Sequence, residues 1–254
     1  MYRIVIPARY ASTRLPGKPL LPLAGKPLLE WVHARARECA AAEVVVATDD
    51  ERIREVACAF GAVVEMTAVE HASGTDRIAE VALRRGWGER EIVVNLQGDE
   101  PSMPLALIEQ VAGLLDEHPR ADLATLATPI TGRDEYFDVN AVKVVTDLEG
   151  RALYFSRAPI PWFRDQVEPS GDELAAVVRR HVGLYAYRVA ALRRLAALPP
   201  APLEQIEKLE QLRALANGLH VQVGEARDRP GPDVNTALDL ARAAAVLGSM
   251  TAPA

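Results

Sequence analysis

Short apolar runs recur along the first half of the chain, at Arg3 to Ile6, Glu43 to Ala47, Ala62 to Glu65 and Glu91 to Leu96. The segments between them, Pro27 to Cys39, Asp50 to Phe60 and Thr75 to Arg85, have helical composition. The pattern predicts βαβαβαβ. Runs as short and apolar as Val44-Val45-Val46 are buried on both faces, which means a mostly parallel sheet with helices on each side. Right-handed crossovers collect the C-terminal ends of such strands on one edge, where ligands of open α/β sheets bind. The chemistry is therefore expected just after each strand.

After a helix predicted at Pro104 to Glu117 the pattern changes. Ala141 to Thr146 and Arg151 to Phe155 flank Asp147-Leu-Glu-Gly150, a turn sequence, and read as a hairpin. Trp162 to Glu173, rich in proline, glycine and acids, reads as a loop, and Val182 to Arg188 as a further strand. A helix over Leu203 to Asn217 is closed by Gly218, and a last helix begins near Thr236. No internal repeat or low-complexity segment interrupts this order.

Composition narrows the class. With 254 residues, 49% hydrophobic and 25% charged, the chain can bury a sizeable core and is not disordered. Cys39 and Cys58 are too few for a disulfide framework or a four-cysteine zinc site. The longest stretch without Asp, Glu, Lys or Arg, Ala243 to Ala254, is shorter than the roughly 18 apolar residues of a membrane span. The first strand begins at Arg3 with no apolar leader before it, so a cytoplasmic location is expected, with no membrane partner. A net charge of −6 argues against nucleic acid as a partner unless cations cluster.

They cluster once. Arg3, Arg9, Arg14, Lys18 and Lys26 fall in an interval with no Asp or Glu before Glu30. Ala8, Ala11, Ser12 and Gly17 are small enough to let backbone amides approach an anion, so the loop after the first strand suits phosphates, although a merely solvated basic loop has the same composition. Gly17-Lys18 and Gly25-Lys26 are followed by proline, which excludes a Walker loop, and no Gly-x-Gly-x-x-Gly follows the first strand. After the fourth strand come Gln97-Gly98-Asp99-Glu100, where Asp99 is placed to hold magnesium or, more plainly, to cap a turn.

Ile6-Pro-Ala-Arg-Tyr-Ala-Ser-Thr-Arg-Leu-Pro-Gly-Lys-Pro-Leu20 with Gly25-Lys-Pro27 resembles the opening signature of the sugar-acid cytidylyltransferases, most closely those acting on 3-deoxy-manno-octulosonate (Kdo). Further matches follow in order at His71-Ala-Ser-Gly-Thr-Asp-Arg77, Asn95-Leu-Gln-Gly-Asp-Glu-Pro101, Tyr154-Phe-Ser-Arg-Ala-Pro-Ile-Pro161, His181-Val-Gly-Leu-Tyr-Ala-Tyr187 and Leu209-Glu-Gln-Leu-Arg213. The resemblance spans nearly the whole chain. It implies a Rossmann-like α/β nucleotidyltransferase domain over residues 1–254, with a smaller hairpin-containing lobe at about 129–190 serving dimerisation and sugar binding. It also implies transfer of CMP from CTP to Kdo for lipopolysaccharide biosynthesis, with release of pyrophosphate, a magnesium requirement and a homodimer. A cytidylyltransferase for sialic acid or an amino-substituted Kdo, and a protein that binds CTP without turnover, stay open as alternatives.

The implied roles attach to particular residues. Arg9, Lys18 and Asp99 form the catalytic set. The nucleotide is assigned to Ala8, Arg9, Ser12, Arg14, Lys18, His71, Ser73, Gly74, Arg77 and Gln97, although Ser73 or Thr75 could equally be a helix N-cap. The sugar is assigned to Gln97, Arg157, His181, Tyr185, Glu204, Glu207 and Gln211, Arg157 as a carboxylate clamp. A core or interface role would also explain the tyrosines, and solvent exposure the polar helix face bearing Glu204, Glu207 and Gln211. The sequence departs from the family at the second metal position, where Gly-Val-Asp-Thr is replaced by Asp233-Val-Asn-Thr236. Asn235 and Asp233 are expected to share that role beside Asp99, since alternate residues of extended backbone point to one side.

Overall fold

The computed structural model describes residues 1–11, 15–71, 73–165 and 169–251. The alternation predicted for the first half is realised. β1 (Tyr2–Ala8) leads into a loop carrying a 3-10 turn at Lys18–Leu20 and a two-residue hairpin of β2 (Pro22–Leu23) and β3 (Lys26–Pro27). Then follow α1 (Leu28–Glu38), β4 (Val44–Thr48), α2 (Glu51–Ala59), β5 (Val63–Met66), α3 (Gly74–Arg84), β6 (Ile92–Asn95) and α4 (Leu105–Glu117). Local chemistry sets the helix starts. Asp50 caps α2 by accepting from the Arg52 amide at 3.0 Å. Ser73 and Asp76 cap α3 reciprocally, each side chain accepting from the other's amide at 3.1 Å.

The second half adds β7 (Leu123–Pro129), α5 (Arg133–Phe137), β8 (Lys143–Thr146), β9 (Ala152–Ser156), α6 (Gly171–Val177) and β10 (Arg179–Arg188). It ends with α7 (Val189–Ala196), α8 (Pro202–Glu207), α9 (Gln211–Ala216), β11 (Val221–Glu225) and α10 (Ala237–Thr251). The hairpin forms where predicted: Asp147 Oδ1 accepts the amides of Glu149 and Arg151 at 2.9 and 2.8 Å, and Gly150 closes the turn.

Four expectations are corrected. The strands at Leu123–Pro129 and Val221–Glu225 are absent from the predicted set. The segment read as a loop over Trp162 to Glu173 enters α6, which Ser170 and Glu173 cap reciprocally. The strand read from Val182 starts at Arg179. The helix read over Leu203 to Asn217 is two helices, because Lys208 takes a left-handed conformation (φ 55°) between α8 and α9.

The main sheet runs β11-β7-β10-β6-β1-β4-β5, parallel throughout except for β10, which lies antiparallel between β7 and β6. β8 pairs with β10, and β9 with β8, at the side of the sheet. Successive strand residues feed opposite cores: Ile4, Ile6 and Val46 pack with α1 and α4, whereas Val5, Val45 and Val93 pack with α3 and α7. A third, small core gathers Ile130, Tyr136, Leu174 and Val178 beside the hairpin. Because β10 runs backwards, with Tyr185 level with Asn95, its N-terminal half projects past the C-terminal end of β6. The edge predicted to carry the site thus receives residues from both halves of the chain. Among the described residues no helix is long and apolar enough to cross a membrane.

Candidate active site

The loop after β1 meets the loop after β6 at Lys18. Its Nζ donates to Asp99 Oδ2 at 2.7 Å and to the Val234 carbonyl at 3.0 Å, and the Val234 amide returns a bond to the Asp99 carbonyl at 2.9 Å. Three segments remote in sequence are therefore pinned together at the strand ends. Gly98 permits the close approach there: a Cβ would lie 3.0 Å from the Pro7 carbonyl oxygen, tight enough to push the two loops apart by a few tenths of an ångström. A cleft of about 330 Å³ opens between these loops, lined by Ala8, Arg9, Lys18, Gly74, Gln97 and Asp99 among others. Burial and the nearby Arg77 lower the affinity of the Arg9 guanidinium for its proton, while Asp49, Asp76 and Glu210 act in the opposite direction. Ser12 and Arg14 lie outside the described residues.

Carboxylates gather beside Lys18. Burial holds the Glu100 carboxyl well above the usual carboxylate range, with Asp99 and Asp233 adding like charge, and Glu100 Oε2 is buried without a hydrogen-bond partner. Asn235 Nδ2 donates to Asp233 Oδ2, so the two residues do stand side by side. Asp99 does not cap α4, whose N-cap is Pro104. Repelling carboxylates with an orphaned oxygen fit a cation. Among the described residues no cluster of three or more His, Cys, Asp or Glu has a metal-holding arrangement, so a cation here would complete its shell from phosphate oxygens and water, as magnesium commonly does.

A second cavity of about 210 Å³ adjoins the first and shares Gln97 with it. His181, Tyr185 and Tyr187 line it as a row of rings, His181 to Tyr185 at 5.3 Å and Tyr185 stacked on Tyr187 at 5.7 Å. A bulge in β10 between Val182 and Tyr185 turns the carbonyls of Val182 and Leu184 onto Thr125 Oγ1, at 2.9 and 2.8 Å. Thr125 Oγ1 also lies 3.1 Å from His181 Nε2, a contact that holds the ring in the wall. Burial lowers the His181 pKa to about 3, which keeps the ring neutral. Three polar atoms in the cavity wall are buried without partners: Asn95 Oδ1, the Tyr185 hydroxyl and Gln211 Nε2. Such atoms are costly unless a ligand satisfies them.

Several expected ligand residues are engaged elsewhere. Arg77 is fully buried, donating to Asp49 at 2.7 Å and to Thr67, so it braces the ends of β4 and β5 instead of facing the cleft. His71 bonds Glu80 and lines a separate groove between α3 and α7. Arg157 gives Nε to the Glu207 carbonyl at 2.8 Å and Nη1 to the Val139 carbonyl at 2.9 Å. Glu207 in turn accepts from Ser156 Oγ and the Arg157 amide. Glu204 forms a paired bridge with Arg213. The break at Lys208 explains this division, because it separates Glu204 and Glu207 from the cavity wall and leaves Gln211 in it. Ser73 is the N-cap of α3, the plainer of its two readings, and its Oγ also donates to Glu210 Oε1 at 2.9 Å.

Glu210, Thr75, Asn95 and Tyr187 also line the second cavity; sequence reasoning misses Glu210 and Asn95, whereas the alternation of His181, Tyr185 and Tyr187 along the strand already places Tyr187 on their side, and Thr75 stands in the loop assigned to the nucleotide. All four lie within the quoted matching segments, but nothing there distinguishes Glu210 and Asn95 from their neighbours. Burial raises the Glu210 carboxyl, against hydrogen bonds from Thr75 and Ser73.

A mostly parallel α/β sheet whose C-terminal edge joins a cationic loop, a carboxylate cluster and a polar side cavity defines a nucleotidyltransferase. Residues 3–223 match the family model for cytidylyltransferases. The chain belongs to the cytidylyltransferase family. It is 54% identical over 241 residues to a 3-deoxy-manno-octulosonate cytidylyltransferase of Halorhodospira halophila, covering 94% of each chain. It is 52% identical over 252 residues to another of that name from Methylococcus capsulatus, covering 98% of each. The solved structure of a CMP:2-keto-3-deoxy-manno-octonic acid synthetase complexed with CTP superimposes with a TM-score of 0.89 at 40% identity, over 98% of this chain and 100% of that one.

Proposed function

We propose that this enzyme transfers CMP from CTP to Kdo, releasing pyrophosphate. The observation that carries the reading is the junction at Gln97 of two cavities, one flanked by Arg9, Lys18 and Asp99, the other walled by buried polar atoms awaiting partners. The relatives' names supply the two substrates that suit these halves. CTP places its phosphates in the first cavity, and the sugar acid lies against Gln97, His181, Tyr185 and Gln211.

Both reactants are anionic, so the protein must neutralise charge and fix an in-line approach of the anomeric hydroxyl to the α-phosphorus. Arg9 and Lys18 hold the triphosphate and follow the charge that develops on the leaving pyrophosphate. Neutral His181 presents its free ring nitrogen, Nδ1, to a sugar hydroxyl. Asp99, with Asn235 and Asp233, would hold a divalent cation, magnesium in this reading, which would supply charge neutralisation at the phosphates and a more acidic attacking hydroxyl. Arg157, with Nε and Nη1 on loop carbonyls, contributes order to the sugar side of the site. No cysteine borders the cleft, and the chemistry is direct displacement without an enzyme-linked intermediate.

The lobe from about residue 129 to 190 exposes Phe137, Val139, Leu153, Trp162 and Val177, and we assign this apolar surface to a homodimer contact. The whole chain acts as one catalytic domain, in the cytoplasm where its nucleotide is made. The test is pyrophosphate release on mixing the protein with magnesium, CTP and Kdo. Release is expected with that combination and not when UTP or ATP replaces CTP, nor when sialic acid replaces Kdo. Absence of release with Kdo overturns the reading.

A further inference from the structure

We propose that Tyr10 is a positioning residue for Lys18, held in that role by Arg52 from the first turn of α2. The inference rests on the reading of Lys18 as a phosphate donor. The Gly17 amide donates to the Tyr10 carbonyl at 3.0 Å, closing the loop immediately before Lys18. Gly17 is left-handed (φ +68°), and a Cβ there would stand 3.2 Å from two ring carbons of Tyr10, so the ring lies directly on the turn. From Gly17 the chain enters the 3-10 turn Lys18–Leu20, with the Leu20 amide donating to the Gly17 carbonyl at 2.8 Å. The orientation of this turn decides where the Lys18 ammonium arrives.

The Arg52 guanidinium lies over the Tyr10 ring, 3.3 Å from its centroid. Arg52 is itself fixed: its amide and Nε donate to Asp50 Oδ1 at 3.0 and 2.9 Å, and Nη2 to Asp50 Oδ2 at 2.5 Å. The Asp50 amide is tied to Thr48 Oγ1, at the end of β4, at 3.2 Å. A continuous set of contacts therefore runs from the rigid end of β4 through Asp50, Arg52, Tyr10 and Gly17 to Lys18. This stack is one fixed reference for the lysine, beside the packing of Leu15 and Leu20 on the core and the bonds of its Nζ to Asp99 and Val234. Loosening it should spoil alignment in the transition state more than it spoils ground-state capture of the nucleotide, because a displacement of about 1 Å suffices to cost up to 100-fold in rate.

Tyr10→Ala is expected to lower kcat about 10-fold with the KM for CTP changed less than about 2-fold, whereas Tyr10→Phe, which keeps the ring face, restores turnover. Arg52→Ala should lower kcat in the same direction, and Tyr10→Ala/Arg52→Ala should be no slower than Tyr10→Ala, because both remove one stack. Reductive methylation of Lys18, followed by peptide mass spectrometry, reads the positioning without any substrate: faster labelling is expected in Tyr10→Ala and unchanged labelling in Tyr10→Phe. Wild-type labelling rates in Tyr10→Ala, a loss confined to KM, or additive losses in the double variant would each overturn the proposal. An inert wild-type enzyme would instead overturn the functional reading, leaving the labelling result to decide the positioning.

Discussion

Lys18→Ala is the sharpest perturbation of the site. It removes the donor that stands 2.7 Å from Asp99 Oδ2 and 3.0 Å from the Val234 carbonyl, at the meeting point of three loops. A fixed donor that follows charge onto a leaving group is worth about 3 kcal/mol, which is roughly 100-fold in rate at 1.36 kcal/mol per decade. Folding should survive. The Lys18 and Asp99 side chains are 16% and 25% exposed, so losing the pair costs more than the roughly 1 kcal/mol of a surface bridge, up to about 3 kcal/mol, still inside the margin of a folded domain. The assay is initial-rate pyrophosphate release at saturating CTP and Kdo, with the KM for CTP measured alongside and a melting curve as control. Lys18→Arg serves as the comparison, because a planar fork keeps the charge but not the compact geometry. The expected result is a kcat about 100-fold lower in a protein that still folds cooperatively, with a melting temperature lowered by no more than about 10 °C. An unchanged kcat with a raised KM for CTP would refute the reasoning, since it would make Lys18 a uniform binding contact.

Other consequences can be checked separately. Asp233→Ala should shift the magnesium titration of activity to concentrations on the order of 10-fold higher, because the site loses a charge beside Asn235; an unchanged titration removes Asp233 from the cation site. Gln211→Leu should cost roughly 10-fold in kcat/KM for Kdo, leave CTP kinetics alone and not lower the melting temperature, since it deletes an unpartnered buried donor; a lowered melting temperature would mean the amide is already satisfied. The His181 pKa of about 3 lies below its unfolded value of 6.5, so its contribution is complete above about pH 6.5 and is lost as pH falls toward 3. His181→Gln should therefore flatten the acid side of melting temperature against pH, and an unaltered acid slope would contradict a desolvated ring.

The β-branched runs and Asp and Ser caps made the first half of the fold readable, because buried parallel strands and capped helices are local in their chemistry. Leu123–Pro129 was not readable: its Leu-Ala-Thr-Leu-Ala-Thr sequence has weak strand character and is extended because β10 and β11 pair with it on either side. Lys208 hides its left-handed turn for a similar reason, since nothing in Glu207-Lys208-Leu209 marks the break that separates Glu204 from Gln211. Among site residues, Lys18, Asp99 and Gln97 could be found because each follows a recognisable strand or glycine turn. Arg77 and Arg157 could not be sorted from ligand-binding arginines, because their partners, Asp49 and the carbonyls of Val139 and Glu207, are distant in sequence or masked in the backbone.

The reversed central strand has a consequence for how the molecule is made. While the ribosome is still synthesising the middle of the chain, β6 is a bare edge and β7 has no sheet to join, because both await the same ten residues, Arg179–Arg188. Unpaired edges invite association with other chains, so the nascent protein stays vulnerable until that segment emerges. Its arrival seals the gap and delivers His181 and Tyr185 in one event, so a molecule that has escaped aggregation has also acquired the wall of its second cavity.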